Sequence, residues 1–258
     1  MSEAAQILLA AVIAGLAGVV AFVLWDRVRA ARVRAEAREV LDTLRALGRE
    51  PGESVEDRLE KLERDVSRLK GISAAEKGNI LALIDEAAAE YYLELQRYDV
   101  ALDRAERALQ TNPNSVAALD LKSGCLAQLS RVRPEQKARL LELALEAIDR
   151  AISLDAKEAS LFVARGWILD EMERYAEAIE AYEQAFRLDP TLIESIYNKA
   201  CALAKMGDPK GALRTLESLV SSKERERVLD WAENDPDLTE TLGNDPSFSA
   251  EFHRLLRR

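Results

Sequence analysis

Histidine and cysteine are nearly absent from this chain of 258 residues. Its one histidine is His253, and its two cysteines, Cys125 and Cys201, are far apart in the sequence. A Ser-His-Asp or Cys-His catalytic set, or a multi-histidine metal site, needs more of these side chains than the chain offers. We therefore expect a protein that is not an enzyme and holds no cofactor or metal. We expect the cysteines to be small buried residues, although a disulfide between them stays open.

Glycine (11), proline (7) and aromatic residues (5%) are also sparse. Ala and Leu, which are strong helix formers, dominate the composition, and together these facts predict an all-α protein rather than a strand-rich or Rossmann-type fold. Basic residues are outnumbered, with 36 Lys+Arg against 46 Asp+Glu and a net charge of −10. Because phosphate contacts need a basic face, we expect no nucleic-acid partner.

One apolar run, Ile7 to Trp25, contains 19 residues without a charge. A helix rises about 1.5 Å per residue, so this run matches the hydrocarbon thickness of a bilayer. A cleaved signal peptide has positive charge before its apolar run, but Glu3 is the only charged residue there. We therefore predict an uncleaved transmembrane anchor in residues 1–25, with residues 7–25 in contact with membrane lipid. The side chains expected at the membrane interface are Trp25, Arg27, Arg29, Arg32, Arg34 and Arg38.

The positive-inside rule places these arginines in the cytoplasm, which predicts a single-pass protein of the bacterial inner membrane with a cytoplasmic main domain. Residues 26–72 are predicted to form a basic juxtamembrane helix and then a short helix with a coiled-coil-like seam over 55–69. The seam is only two heptads long, and a sustained coiled coil needs about three or four. Packing of this helix on the next domain and dimerisation through the seam both remain open.

Four segments after residue 73 share a pattern of aromatic and small residues. The best-defined segment, 159–192, carries Gly166, Tyr175, Ala178, Tyr182, Ala185 and Pro190. The others are 82–115, 116–158 and 193–222. This pattern resembles the tetratricopeptide repeat (TPR), a helix-turn-helix unit of about 34 residues. The resemblance implies that residues 73–222 form a right-handed TPR-type α-solenoid, in which small residues let the two helices of each repeat, A and B, approach closely.

The second repeat is longer than the norm, and its excess falls between Leu129 and Ala144. Pro134 suits the first turn of a helix, so helix B of this repeat is predicted to run from about Pro134 to Leu154. The insertion also carries a basic cluster, which is either ordinary solvated charge or a docking surface. Its members are Arg131, Arg133, Lys137 and Arg139.

The last segment, 223–258, is predicted to form capping helices, because a solenoid must end with a helix whose outer face is polar. Two Asn-Asp-Pro triplets, 234–236 and 244–246, are each predicted to start a short helix, since Asp is a good N-cap and Pro suits the first helical position. The apolar residues expected to fold back onto the last repeat are Leu238, Leu242, Phe248, Phe252 and Leu255.

In the family, helix A residues at fixed repeat positions line the concave, partner-binding face. The acidic and aromatic residues at those positions here are Glu86, Glu90, Glu94, Asp120, Trp167, Asp170, Glu171, Glu194 and Tyr197, and the one basic residue is Lys205. Members that bind chaperone tails use Lys, Arg and Asn there, so that ligand is not expected. An acidic groove with two aromatics predicts a basic protein or peptide with an apolar anchor. The alternative is that the acidity is only the solvated face of an acidic chain.

Together these features predict a membrane-anchored adaptor or scaffold that recruits or assembles partner proteins through an acidic TPR groove. One alternative is a periplasm-facing TPR assembly factor, which would require the arginines to be translocated against the charge rule. The other is a self-assembling structural scaffold, a homo-oligomer, because open solenoids can stack end to end.

Overall fold

The computed structural model describes residues 55–68, 73–220, 223, 225–244, 246 and 248–256. Helices connected by short turns make up these residues, which include no strand, so the all-α prediction is confirmed. Within the same ranges, no helix combines the length and the apolar character that a membrane span needs. The predicted anchor at 7–25 and its arginine flank lie outside the described residues.

The chain divides into two compact units, residues 1–91 and 92–258. In the first unit, helix α1 (Val55–Arg68) buries Leu59 and Val66, two residues of the predicted seam. Helix α2 (Ala74–Glu94) is helix A of the first repeat and ends just inside the second unit.

Helix α2 begins before the repeat boundary at residue 82 because a capping box fixes its first turn. The Ser73 N–H donates to Glu76 Oε2 at 2.6 Å, and the Glu76 N–H donates to Ser73 Oγ at 3.2 Å. Each side chain thus satisfies a backbone donor that the helix leaves unpaired.

The second unit continues as stacked helix pairs. Consecutive helices pack against one another, and helices A also touch in a row, α4 against α6 and α6 against α8. This arrangement confirms the TPR-like solenoid. The helices are α3 (Tyr98–Thr111), α4 (Val116–Val132), α5 (Lys137–Leu154), α6 (Ala159–Glu171), α7 (Tyr175–Leu188), α8 (Ile193–Met206) and α9 (Pro209–Val220).

The turn between helices A and B has one geometry in the first, third and fourth repeats. Its left-handed residue is Gln96, Glu173 or Gly207, with φ of 59°, 61° and 89°. The next N–H in each turn donates to a carbonyl five residues earlier, at 2.8 to 2.9 Å. This is the Schellman motif, which satisfies carbonyls at the end of helix A.

The second repeat replaces this turn with a 3₁₀ turn, Pro134–Gln136, followed directly by α5. Helix α5 has 18 residues where α7 has 14. The long helix B predicted for this repeat is therefore confirmed.

Small side chains fill the space between paired helices, as the repeat pattern predicts. The alanines at these positions are fully buried: Ala101, Ala108, Ala144, Ala151, Ala178 and Ala185. Cys125 and Cys201 are buried and not bonded to each other, which confirms their interpretation as small core residues.

One ion pair recurs at each repeat junction of the second unit. A basic residue of helix A reaches an acidic residue of the preceding helix B at 2.8, 2.8 and 2.6 Å. The pairs are Lys122–Glu106, Arg165–Asp149 and Lys199–Glu183. The repeat period therefore sets surface charge as well as core packing.

The C-terminal cap contains α10 (Arg225–Asn234), α11 (Pro236–Leu238), a π turn (Thr239–Gly243) and α12 (Ser249–Leu256). The first Asn-Asp-Pro triplet starts a helix as predicted: Asp235 Oδ1 accepts the N–H of Asp237 at 2.9 Å, and Pro236 opens α11. The same prediction is wrong for the second triplet, since α12 begins at Ser249, beyond Pro246.

The predicted fold-back of the cap onto the last repeat is confirmed. Leu238, Leu242 and Phe252 are buried in one core with residues of α8 and α9, and Phe248 packs against that core. The Leu255 side chain is not among those that the structure describes.

Candidate partner-binding surface

The predicted binding residues fall in both units. Glu86 and Glu90 lie on α2 in the first unit, and Glu94 lies near the end of that helix, within the second unit. Glu90 and Glu94 are exposed. The other six lie on α4, α6 and α8, which together form what we call the helix-A face: Asp120, Trp167, Asp170, Glu171, Glu194 and Tyr197.

Asp170 is neutralised inside the chain by the one basic residue of the predicted groove. Lys205 Nζ lies 2.7 Å from Asp170 Oδ2 and 2.8 Å from Asp237 Oδ2 in the cap. Burial opposes the Lys205 charge, but the hydrogen bonds to both carboxylates outweigh it and raise the Lys205 pKa. Burial also raises the pKa of Asp170, and the hydrogen bond from Lys205 opposes that rise. These three residues tie α6, α8 and the cap together.

Glu171 is neutralised by the basic cluster of the second repeat. Its carboxylate lies 3.3 Å from Lys137 Nζ and 3.7 Å from Arg131 Nε. The Arg131 guanidinium also lies 6.0 Å from the centre of the Trp167 ring.

The other two members of the basic cluster also form ion pairs. Arg133 pairs with Asp99 at 2.6 Å, and Arg139 pairs with Glu142 at 3.4 Å. The cluster is thus paired with carboxylates of the chain itself, which favours ordinary paired charge over a separate docking surface.

The cap covers the fourth repeat's part of the helix-A face. Tyr197 is 7% exposed, and its hydroxyl donates to Asp235 Oδ2 at 3.0 Å. Burial, together with the nearby negative charges, raises the pKa of Tyr197 well above its ordinary value. The Trp231 ring meets the Tyr197 ring edge-on with centres 5.2 Å apart. The Arg227 guanidinium lies 4.5 Å from the Trp231 ring centre, and it pairs with Glu194.

Between α8 and the cap lies an open pocket of about 440 Å³, which we call the terminal pocket. Its lining comprises Glu194, Tyr197, Asn198, Asp230, Trp231, Asn234, Asp235 and Pro236. Sequence reasoning identified Glu194 and Tyr197 but missed the cap residues, because these lie outside the repeats and no periodic signal aligns them with the groove.

Asp120 is the carboxylate of the helix-A face that stays uncompensated. No ion pair or hydrogen bond from another described residue reaches its side-chain oxygens. Burial, with a smaller contribution from the Glu158 charge, raises the pKa of Asp120 to about 6. A cation beside this carboxylate would relieve both effects.

A larger pocket, about 780 Å³, lies between α7, α8 and α9, and none of the predicted binding residues lines it. Its walls are mostly apolar and include Ile179, Phe186 and Ile196, with the Lys199–Glu183 pair at its side. Nothing in the described chain indicates what would fill it.

Two stretches of the sequence match family models of the tetratricopeptide repeat, residues 159–192 and residues 194–222. These are the third and fourth repeats of the structure. No curated protein matches the chain.

Several solved structures share the fold. A thermophilic TPR protein of Thermus thermophilus, TTC0263, is 18% identical with a TM-score of 0.54, covering 87% of this chain and 99% of its own. MamA of Desulfovibrio magneticus RS-1 is 20% identical with a TM-score of 0.53, covering 74% and 95%. YrrB, described as a TPR protein with an unusual peptide-binding site, is 16% identical with a TM-score of 0.53, covering 76% and 91%.

Proposed function

Because this chain is a tetratricopeptide-repeat protein, we propose that it acts as a membrane-anchored adaptor that binds a basic partner protein or peptide on its helix-A face. TPR repeats generally mediate protein–protein interaction and scaffolding, which is the role proposed for the second unit. YrrB, a protein of similar fold, has a peptide-binding site by its description.

Asp120 carries the proposal of a basic partner. The Asp120 carboxylate is mostly buried beside Glu158, and no cation of the described residues pairs with it. Its negative charge therefore costs free energy in the unbound chain. A Lys or Arg of a partner would remove that cost on binding. Other acidic residues of the predicted groove, Asp170 and Glu171, are already neutralised by the chain. The proposed preference for a basic partner therefore depends on Asp120 more than on the total number of acidic residues.

The anchor proposal depends on the sequence of residues 7–25 and the arginines that follow. Fusion of a green fluorescent protein to the C-terminus should give fluorescent cells, and an alkaline phosphatase fusion at the same place should be inactive. An active phosphatase fusion would favour the periplasm-facing alternative. Release of the full chain from membranes by alkaline carbonate would contradict the anchor itself.

The binding proposal is tested with the full chain and a fluorescent nonapeptide in which arginine alternates with leucine and serine. Asp120→Asn should weaken binding about tenfold, which corresponds to about 1.4 kcal/mol. Asp103→Asn is the matched control, because Asp103 is an exposed carboxylate on helix B. Equal affinity of the two variants, or no binding by the unmodified chain, would contradict the proposal.

A further inference from the structure

Two arrangements of the same three residue types occur, one on the helix-A face and one where the cap meets that face. In one, Arg131 lies over Trp167 and pairs with Glu171. In the other, Arg227 lies over Trp231 and pairs with Glu194. A guanidinium on an indole ring with a carboxylate at its edge is a favourable combination, since the ring face and the carboxylate both attract the cation.

The second arrangement differs from the first because it borders the terminal pocket, whose wall carries further hydrogen-bond acceptors. In the described chain, no cation pairs with Asp230, which also lines this pocket. Asn234 Nδ2 donates to the Asp230 backbone carbonyl at 2.8 Å, which leaves the amide oxygen of Asn234 as an acceptor. Asn198 adds a second amide to the wall. The pocket therefore presents acceptors in addition to the Glu194 carboxylate with which Arg227 pairs.

From this geometry we propose that the terminal pocket binds the guanidinium of an arginine in a basic partner, and that Arg227 competes with it for Trp231 and Glu194. The proposal rests on the proposed function and names one residue type that the partner would supply. Arginine fits better than lysine, because its planar fork stacks on an indole while donating to Glu194 and Asp230.

Arg227 is suited to be displaced rather than to hold the pocket shut. Its side chain is 47% exposed and that of Glu194 is 43% exposed, so water screens their ion pair. While Arg227 covers Trp231, a partner arginine must displace it. The apparent affinity for the partner is then the intrinsic affinity multiplied by the fraction of molecules in which Arg227 has left the Trp231 ring. Removing Arg227 should therefore strengthen binding instead of weakening it.

The test compares Arg227→Gln and Arg225→Gln in the full chain with the arginine nonapeptide described above. Both variants remove one positive charge from α10, but it is Arg227 that lies over Trp231 and pairs with Glu194, two residues of the pocket wall. Arg227→Gln should bind the peptide three- to tenfold more tightly than Arg225→Gln. Circular dichroism checks that both variants are folded.

A second pair of measurements separates this inference from the proposed function. Asp230→Asn should weaken binding of the arginine peptide, whereas Glu226→Gln, an exposed change on the same helix, should not. A peptide with lysine at the same positions should gain less from Arg227→Gln. If Arg227→Gln and Arg225→Gln bind equally while Asp120→Asn still weakens binding, the pocket proposal fails and the proposed function stands. If the unmodified chain binds neither peptide, both fail.

Discussion

A Cβ atom at Gly166 would lie 2.5 Å from Cε1 of Tyr182, which is too close for two non-bonded carbon atoms unless one of the side chains or helices moves. Gly166 is on helix A and Tyr182 on helix B of the third repeat. Because the ring is 1% exposed and packed in the core, it has little room to move. The close approach of the two helices in this repeat therefore depends on glycine at 166.

Gly166→Ala should lower the free energy of unfolding by about 1–3 kcal/mol through overpacking. Gly124→Ala is the matched control on another helix A, since its Cβ would meet only Leu93 Cδ2 at 3.7 Å. The control should melt at or above the temperature of the unmodified chain, because Ala favours helix by about 1 kcal/mol over Gly. Equal melting temperatures for the two variants would contradict the steric argument.

Glu173→Gly should stabilise the chain by about 0.5–1 kcal/mol. Glu173 has a φ of 61°, in the left-handed region, where a residue with a Cβ is strained and glycine is not. Gly207→Ala should do the reverse, since Gly207 has a φ of 89° and no atom within 4 Å of an added Cβ. Thermal melting measures both. Glu173→Ala keeps the Cβ and should not share the gain; if it does, the lost carboxylate rather than the backbone is responsible.

The stability of the chain should depend on Asp120 in a pH-dependent way. Its pKa is raised from 3.8 to about 6 in the folded chain, so folding favours the protonated form. The stabilisation is complete below pH 3.8 and is lost as the pH rises through 6, by at most about 3 kcal/mol. Asp120→Asn, which stays neutral, should therefore melt above the unmodified chain at pH 8 and level with it near pH 4. A difference that stays constant across this range would be evidence against the raised pKa.

Lys205→Met should destabilise the chain by about 3 kcal/mol, because it leaves Asp170 and Asp237 without their cation in a partly buried place. Lys199→Met is the control, since both lysine side chains are 24% exposed and lie on α8. Lys199 pairs with Glu183, which is 39% exposed, whereas Lys205 pairs with Asp170, which is 12% exposed, and with Asp237 as well. Lys199→Met should lower the free energy of unfolding by at most about 1 kcal/mol. Urea denaturation measures both, and similar losses would count against the three-residue link.

The repeat architecture could be predicted from the sequence because the same small residues recur at one period. Ala178 and Ala185 are fully buried where the period places them, and the long helix B of the second repeat follows from the spacing around Pro134. The capping box at Ser73 was also readable in principle, since Ser and Glu three residues apart precede an apolar run. It explains why α2 starts earlier than the repeat boundary.

The candidate site was less predictable, since its charges depend on partners remote in sequence. Glu171 looked like an open acidic residue of the groove, but Lys137 and Arg131 reach it from another repeat. Gln96 and Glu173 adopt left-handed backbone conformations, but neither is a glycine, the residue type that would indicate such a turn in the sequence. Only alignment with Gly207 by the repeat period would have shown that the three positions correspond.

The sequence by itself determined the helices, their pairing and the family, because helix propensity and the spacing of small residues act locally and repeat along the chain. The tertiary structure decided which groups of the helix-A face stay available. The cap returns along α8 and places Asp235 at the Tyr197 hydroxyl and Arg227 over Trp231. On α4, burial and the Glu158 charge surround Asp120, and no cation of the described residues pairs with it. Contacts of this kind join residues that no period relates, so only the folded chain fixes them.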